Sequence, residues 1–436
     1  MVRNNSADSQ NIAVIGGGVI GLCIALKLQL EGEHVTVFDK RGAGQGCSKG
    51  NAGHFATEQV FPLATPALLP QLPKMLLSRQ SPVSIRIQDI HKTTPWMIRF
   101  LLNARDKTTK QSTQALTQLN QNAMKSWFAL LEEVGLQHLI EMDGSLLTFE
   151  NEQLFDSYRS TLKSLRKHGV ECQVWQQEKL HERVPQLSES VKFGVFFPDT
   201  GHSLNPYRLC VELESSFKFR QGNWVEEQVE EAFFDGELGV VATENESYSF
   251  DKIVIATGAE SADLVRRITG IKVPLQAERG YHLMVPKLIN ALPFPVSSAD
   301  RKFIMTPMEE GLRLAGTVEY AGLNSPPNMK RATMLKELAK GLLKSELSFQ
   351  SDGEKWMGNR PSLPDSLPVI DSVENGKILF AFGHQHLGLT QAAITADLVS
   401  ELNRHREPSL DISPFALSEL NRHREPSLDI SPFALS

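Results

Sequence analysis

Cysteine is scarce in this chain: Cys23, Cys47, Cys172 and Cys210 stand far apart, and no CxxC pair occurs. That excludes a disulfide framework and a cysteine-built zinc cage, and it fits a reducing compartment. Long runs of one charge are also missing. With 45 basic residues against 51 acidic ones, a net −6, nothing resembles a nucleic-acid footprint, and small-molecule work is favoured. Uninterrupted apolar stretches are absent as well. The polar leader MVRNNSADSQ gives way to apolar residues that are broken by glycine and soon meet Lys27. Neither a secretory signal nor a membrane span is expected. The expected place is the cytoplasm, with peripheral contact at the inner face of the membrane left open.

The 436 residues exceed what one hydrophobic core ordinarily serves, so two domains or one discontinuous pair are expected. At the end of the chain, ELNRHREPSLDISPFALS occupies 401–418 and recurs identically at 419–436. Solenoid repeats vary and supply a stackable unit; this segment, with Pro408 and Pro414, does neither. The second copy is read as an artefact and kept out of the fold.

What is present begins at Asn11. NIAVIGGGVIGLCIALKLQLEGEHVTVFDKR reads as strand, glycine turn, helix and strand, with Gly32 closing the helix. Gly16 permits the tight turn, Gly18 lets backbone N–H groups approach a pyrophosphate, and Gly21 lets helix and strand pack closely. The helix N-terminus then offers partial positive charge to phosphate. Asp39, at the end of the second strand, can accept hydrogen bonds from ribose hydroxyls. Glycine turns are common, but here all four parts occur in register. The unit predicts a dinucleotide and leaves NAD and FAD both open.

Further along, GCSKGNAGHF at 46–55 suits a backbone running close along a flat ligand. Prolines interrupt the apolar residues from 61 to about 110, predicting short broken helices, packed as an insertion or set against a membrane. A core-facing helix is expected over Thr113–Gly135, a charged helix near 152–168, and an amphipathic one starting at Pro206. FDKIVIATGAES at 250–261 reads as a further parallel strand. GYHLMV, RKFIMTP and LRLAGTVEY suggest an antiparallel sheet over 276–320. WMGNRPSLPDSLPVID and FAFGHQHLGLTQAAITADLVSEL return the chain to the cofactor, the latter as strand, turn and helix. His384 and His386 have no carboxylate or cysteine at ligand spacing, so no metal is expected. Cys47 has nothing nearby to mark it as a thiolate and reads as a small loop residue. Glu58, Asp199 and Asp365 read as structural.

VIGGGVIG, NAG, IVIATGA, WMGNRPSLPDSLPVI and GHQHLGLTQAA together resemble the FAD-dependent amine oxidoreductases, among them D-amino acid dehydrogenases, glycine oxidase, sarcosine oxidase and D-amino acid oxidase. The likeness covers about 10–415 and is nearest to D-amino acid dehydrogenases, in the branch acting on D-proline and cis-4-hydroxy-D-proline. It implies an α/β fold: a discontinuous Rossmann-like FAD-binding domain (10–60, 198–275 and 354–418), a helical insertion (61–140) and an antiparallel-sheet substrate domain (141–197 and 276–353). It implies FAD along Gly16, Gly18, Val19, Ile20, Gly21, Asp39 and Lys40, then along Cys47, Ser48, Asn51, Ala52 and Gly53. Val229, Ala256, Thr257 and Gly258 would follow, with Gly358, Gly383, Leu387, Gly388, Leu389 and Thr390 closing the site.

The resemblance further implies hydride transfer from the substrate Cα to flavin N5, with the amine neutral. Arg360 sits where relatives keep the arginine that binds the substrate carboxylate, a task suited to two parallel donors. Phe303 replaces a tyrosine of glycine oxidase and His386 a second arginine, a change suited to a ring amine bearing a hydroxyl. His54 and Tyr281 are the other expected pocket residues. The implied product is an imine, a pyrroline carboxylate from cyclic substrates, with electrons passed to a quinone or another carrier. Two alternatives stand: a sarcosine- or glycine-type oxidase using O2, and a flavin-binding electron-relay subunit without catalysis.

Overall fold

A computed structural model describes residues 9–71, 83–286, 288–344 and 353–421. Residues 422–436, most of the second repeat copy, lie outside them. The chain opens with strand β1 (Asn11–Ile15), helix α1 (Val19–Leu30) and strand β2 (His34–Phe38). After the proline-broken segment come helix α2 (Ile90–Asn103) and the 29-residue helix α3 (Asp106–Val134), ended by Gly135 at φ 74°. Next are β3 (Lys252–Ile255), β4 (Gln276–Val285), β5 (Phe303–Met308), β6 (Gly311–Tyr320) and helix α4 (Lys330–Ala339). Strand β7 (Glu354–Ser362), strand β8 (Ile378–Phe382) and helix α5 (Gly388–Asn403) complete the framework.

The first sheet runs in the order Asn223–Val225, β2, β1, β3, β8, Val369–Val373. All pairs are parallel except the last, which is antiparallel. Strands buried on both faces read as continuous apolar runs, and KIVI and ILFAF do. Helix α1 is apolar nearly all round because it is enclosed. Its Leu22, Ile24, Leu26 and Leu28 share one core with Leu119 and Trp127 of α3 and Ala392, Ile394 and Leu398 of α5.

The second sheet joins nine described strands in the order β7, β4, β6, β5, Val296–Ser298, Ser145–Phe149, Phe193–Phe197, Gln173–Gln176, with Val83–Ile85 beside β6. Two expected boundaries move. Strand β7 belongs here rather than with the dinucleotide sheet, because its residues pair with β4 from Gln276↔Ser362 to Met284↔Glu354. Val83–Ile85, within the expected helical insertion, supplies a parallel strand to β6. One face of this sheet packs on α4 through Leu283, Phe303, Met305, Leu314, Leu335 and Ala339. The other face looks toward the loop after β2. The β4–β6 register shifts between Tyr281 and His282, and the extra residue is Gly316, at φ 151°.

Candidate active site

The turn after β1 is built from backbone contacts. Gly16 sits at φ 115°, and a Cβ there would lie 2.4 Å from the Ala256 carbonyl oxygen. At Gly21 it would lie 1.8 Å from the Gly16 carbonyl oxygen. These two glycines are needed for packing. Gly18 differs: a Cβ there would meet only Ser48 Oγ, at 3.4 Å. No side chain caps α1 at Gly18 and no acid occupies its first turn; Val19 N–H donates to Ser48 Oγ at 3.0 Å. Half-buried Gly18 and Ile20 leave this helix end open to an anion. Asp39 accepts from Gly17 N–H at 2.7 Å and from Arg41 N–H at 2.9 Å. Each carboxylate oxygen keeps a further lone pair. Lys40 is paired with Glu260 at 2.6 Å.

Beside this turn, Ala256 N–H donates to Ile15 O at 2.8 Å, and Thr257 Oγ1 lies 3.0 Å from Ser261 Oγ. At Gly258, φ 56°, an added Cβ would meet nothing within 4 Å. Val229 packs against the core that holds Phe38 and Phe250. The loop over 46–53 is pinned to the second sheet. Asn51 Oδ1 accepts from Gly53 N–H at 2.8 Å, His282 Nδ1 meets Gly50 O at 3.0 Å, and Arg313 donates to Asn51 O. Gly50 is so close to the sheet that a Cβ would lie 2.1 Å from the Trp356 ring. Half-buried Ser48, Asn51 and Ala52 complete this side.

At the far end, Gly383 adopts φ 88° and α5 begins at Gly388 without an acid in its first turn. Leu387 N–H donates to His384 O at 2.9 Å. Trp127 Nε1 donates to Leu389 O at 2.9 Å, and Thr390 Oγ1 accepts from Ala56 N–H at 2.9 Å. His384 is buried against Thr395 Oγ1 at 2.9 Å, and burial pushes its pKa down to about 3.

On the sheet face toward the loop, β7 places Trp356, Gly358 and Arg360 opposite His282, Gly280 and Glu278 of β4. Trp356 stacks on His282 at 5.0 Å. Because Gly280 carries no side chain, Arg360 lies across β4; a Cβ there would be 2.7 Å from its guanidinium carbon. Arg360 Nη1 stands 3.2 Å from Glu278 Oε1, with 20 % of its side chain exposed. The charges of both Arg360 and Glu278 act on Cys47 and His386. Burial pushes the Cys47 thiol up to about 11, so it is not a thiolate. His386 is half-buried with Nε2 2.7 Å from Gln59 Oε1. Desolvation holds its pKa down to about 4; Glu278 and Glu58 oppose this, Arg360 reinforces it.

Three expected pocket residues are placed differently. Tyr281 points to the α4 side, where its hydroxyl donates to Glu319 Oε2 at 2.7 Å and accepts from Asn328 N–H at 3.0 Å. Adjacent residues of a strand face opposite ways, so Tyr281 cannot share a face with Glu278 and His282. Phe303 is likewise on the α4 side, in the core with Met305 and Leu335. Its neighbour Ile304, opposite Ala315, is the residue turned toward the loop. His54 is buried between Gly201 O at 3.2 Å and Glu58 Oε1 at 3.1 Å. Burial lowers its pKa and Glu58 more than restores it, leaving it raised. Glu278, His282, Arg313 and Trp356 were not expected; the alternation in AERGYHLM was the available signal, but its phase was not.

The sequence profile described as FAD dependent oxidoreductase matches residues 11–402. A D-amino-acid oxidase of Bradyrhizobium diazoefficiens is 32 % identical over 416 residues, covering 94 % of this chain and 98 % of that one. The chain belongs to the FAD-dependent oxidoreductase family. A D-amino acid dehydrogenase 2 of Mesorhizobium japonicum is 26 % identical, covering 92 % of this chain and 98 % of that one. Among solved structures, glycine oxidase from Geobacillus kaustophilus superposes with TM-score 0.74 at 21 % identity, over 94 % of this chain and 98 % of that one.

For an FAD-dependent oxidoreductase the open α1 N-terminus is the test of fit, and it passes. It is a cradle that a side chain at Gly18 would fill, and no acid occupies the first turn of the helix. Gly18 and Ser48 would hold the pyrophosphate, with Gly16 and Gly21 keeping the turn packed around it, Asp39 would hold a ribose, and the 46–53 loop the ring. FAD supplies a two-electron acceptor.

Proposed function

We propose that this oxidoreductase is a dehydrogenase of small D-amino acids, with D-proline or cis-4-hydroxy-D-proline the favoured substrates and the imine or pyrroline carboxylate the product. Arg360 carries the reading: on the sheet face that looks toward the cofactor loop its guanidinium is partly open, whereas that of Arg313 is buried against the loop. Its fork can hold an α-carboxylate and orient one Cα–H. A neutral His386, donating to Gln59 through Nε2, keeps Nδ1 as an acceptor for a ring hydroxyl or amine N–H. Ile304, rather than Phe303, offers the apolar wall. The oxidase and dehydrogenase names of the two relatives support the substrate class. The FAD-binding part is read as discontinuous, with β7 given to the substrate sheet. Anaerobic bleaching of the visible flavin band by a panel of D- and L-amino acids tests the reading. D-proline should bleach it and L-proline should not; a band untouched by every D-amino acid ends the proposal.

The acceptor we propose is a membrane quinone. Among the described residues no helix is long and apolar enough to cross a membrane, but α2 presents an apolar stripe. Ile90 and Ile98 are 53 % and 54 % exposed, beside Leu101, and Ile87, in the turn before the helix, is 80 % exposed. Trp96 and Phe100 on its other side anchor it, stacked at 5.1 Å, with Trp96 Nε1 donating to Ser362 O. Exposed Lys92 lies on α2 and exposed Arg105, Lys107 and Lys110 follow it in the chain, with Asp106 the exposed acid among them. An apolar face followed by basic residues suits an anionic lipid surface. The holoenzyme should sediment with phosphatidylglycerol vesicles, and Ile98→Glu should release it.

A further inference from the structure

Arg360 does not present a lone positive charge. Register places Glu278 directly across from it, and the two carry opposite charges 3.2 Å apart. Glu278 is only 3 % exposed. Its second oxygen faces Tyr320 Oη at 3.4 Å, and Tyr320 is backed by the Trp96 ring at 5.2 Å. The carboxylate is thus walled in beside the guanidinium. Arg313, also a cation on this face, lies opposite Met284, six residues along β4 from Glu278. His386 is neutral and the Cys47 thiol is protonated. Arg313 is committed to the carbonyls of Lys49 and Asn51.

We infer that Glu278 is a specificity-determining residue that rejects substrates bearing a second carboxylate and admits those with a neutral group in its place. The inference rests on the proposed role of Arg360 as carboxylate anchor. One carboxylate can engage the outer edge of the Arg360 fork while Glu278 holds the inner one. A second carboxylate would be brought near Glu278, whose ion-pair partner among the described residues is Arg360 alone, in a site of reduced dielectric. Tyr320 has a single hydroxyl proton, already facing Glu278. The expected penalty is on the order of tenfold or more in affinity.

The test uses two unreactive ligands of the same shape, succinamate and succinate, whose binding to the holoenzyme is read from perturbation of the flavin absorption band. Succinamate should bind at least tenfold tighter to the native protein. In Glu278→Gln the preference should shrink to within about threefold, and in Glu278→Asp, which keeps the charge, it should persist. Equal affinities in the native protein, or an undiminished preference in Glu278→Gln, would overturn the inference. Should Glu278→Gln not retain FAD, the native ratio together with Glu278→Asp still decides. Arg360→Ala separates the two levels. If it leaves both ligands bound as before, the anchor itself is misplaced; equal affinities in the native protein would sink only the role of Glu278.

Discussion

The glycine turn after β1 and the face of β4 and β7 meet the same cofactor region with opposite construction. The turn uses main-chain groups and omitted side chains, so each position has one acceptable chemistry. Gly21 leaves no space for a carbon beside the Gly16 carbonyl oxygen. The strand face uses side chains, and which of them it presents depends on the phase of the pleat. A cradle made by omission is rigid and general; a wall made of side chains is adjustable and decides the substrate.

Substitutions that break the first region should have the largest effects. Gly21→Ala, which places a carbon 1.8 Å from the Gly16 carbonyl oxygen, should prevent stable folding of the cofactor region, seen as loss of soluble yellow protein. Gly18→Val should keep the fold but lose FAD, because only Ser48 Oγ lies near the new Cβ while the branched side chain occupies the approach to the helix end. A yellow Gly18→Val protein would erase the distinction between packing and ligand glycines.

Acid should destabilise the fold through its buried histidines. Burial pushes the pKa values of His202, His282, His384 and His386 down to about 4, 3, 3 and 4, and Arg313 adds to the effect at His282. An unfolded histidine takes up its proton near pH 6.5, so below that pH the unfolded chain binds more protons than the folded one. Stability is full above about pH 6.5 and falls as pH drops toward 4. His54, with its raised pKa, works in the other direction. The melting temperature and retained FAD should decline together between pH 6.5 and 4.5; a flat profile would argue that these rings are not buried.

In the wall, Arg360→Ala should lower kcat/KM on the order of 100-fold, about 3 kcal/mol, and leave FAD bound. The double variant with Glu278→Gln removes the buried acid that the single change strands, and should restore stability without restoring substrate affinity. Tyr281→Phe should have the smallest effect. It loses the bonds to Glu319 and Asn328, costs about 1–2 kcal/mol in unfolding, and leaves substrate affinity unchanged because the ring lies on the α4 side. A large KM change would put Tyr281 back in the pocket.

The contrast also explains what could be read beforehand. The strand, glycine turn, helix and strand around Gly16, Gly18, Gly21 and Asp39 are legible because their spacing is dictated by local geometry alone. β3 and α5 were legible because apolar runs ending in glycine mark parallel strands and their helices. Arg360 enters the proposed site through the family likeness of GNRP. Glu278 was not legible, since AERGYH admits either phase and the pairing partner that sets it lies 82 residues away. The expectation that Tyr281 and Phe303 line the pocket misses the same phase: both lie on the α4 side of their strands. The placement of β7 failed differently, because WMGNRP precedes a return to the first sheet and nothing local shows that the return waits until Val369.

Gly316 changes the reading frame of β6 partway along. On one side of it Thr317 and Glu319 serve the layer beneath α4, while on the other Ala315 and Arg313, also odd-numbered, serve the cofactor loop. One strand thereby addresses two compartments with the same parity, and the cost is a residue whose φ of 151° few side chains tolerate. A relative that loses this insertion must recode every second position on one side of it or surrender the arginine that tethers the loop.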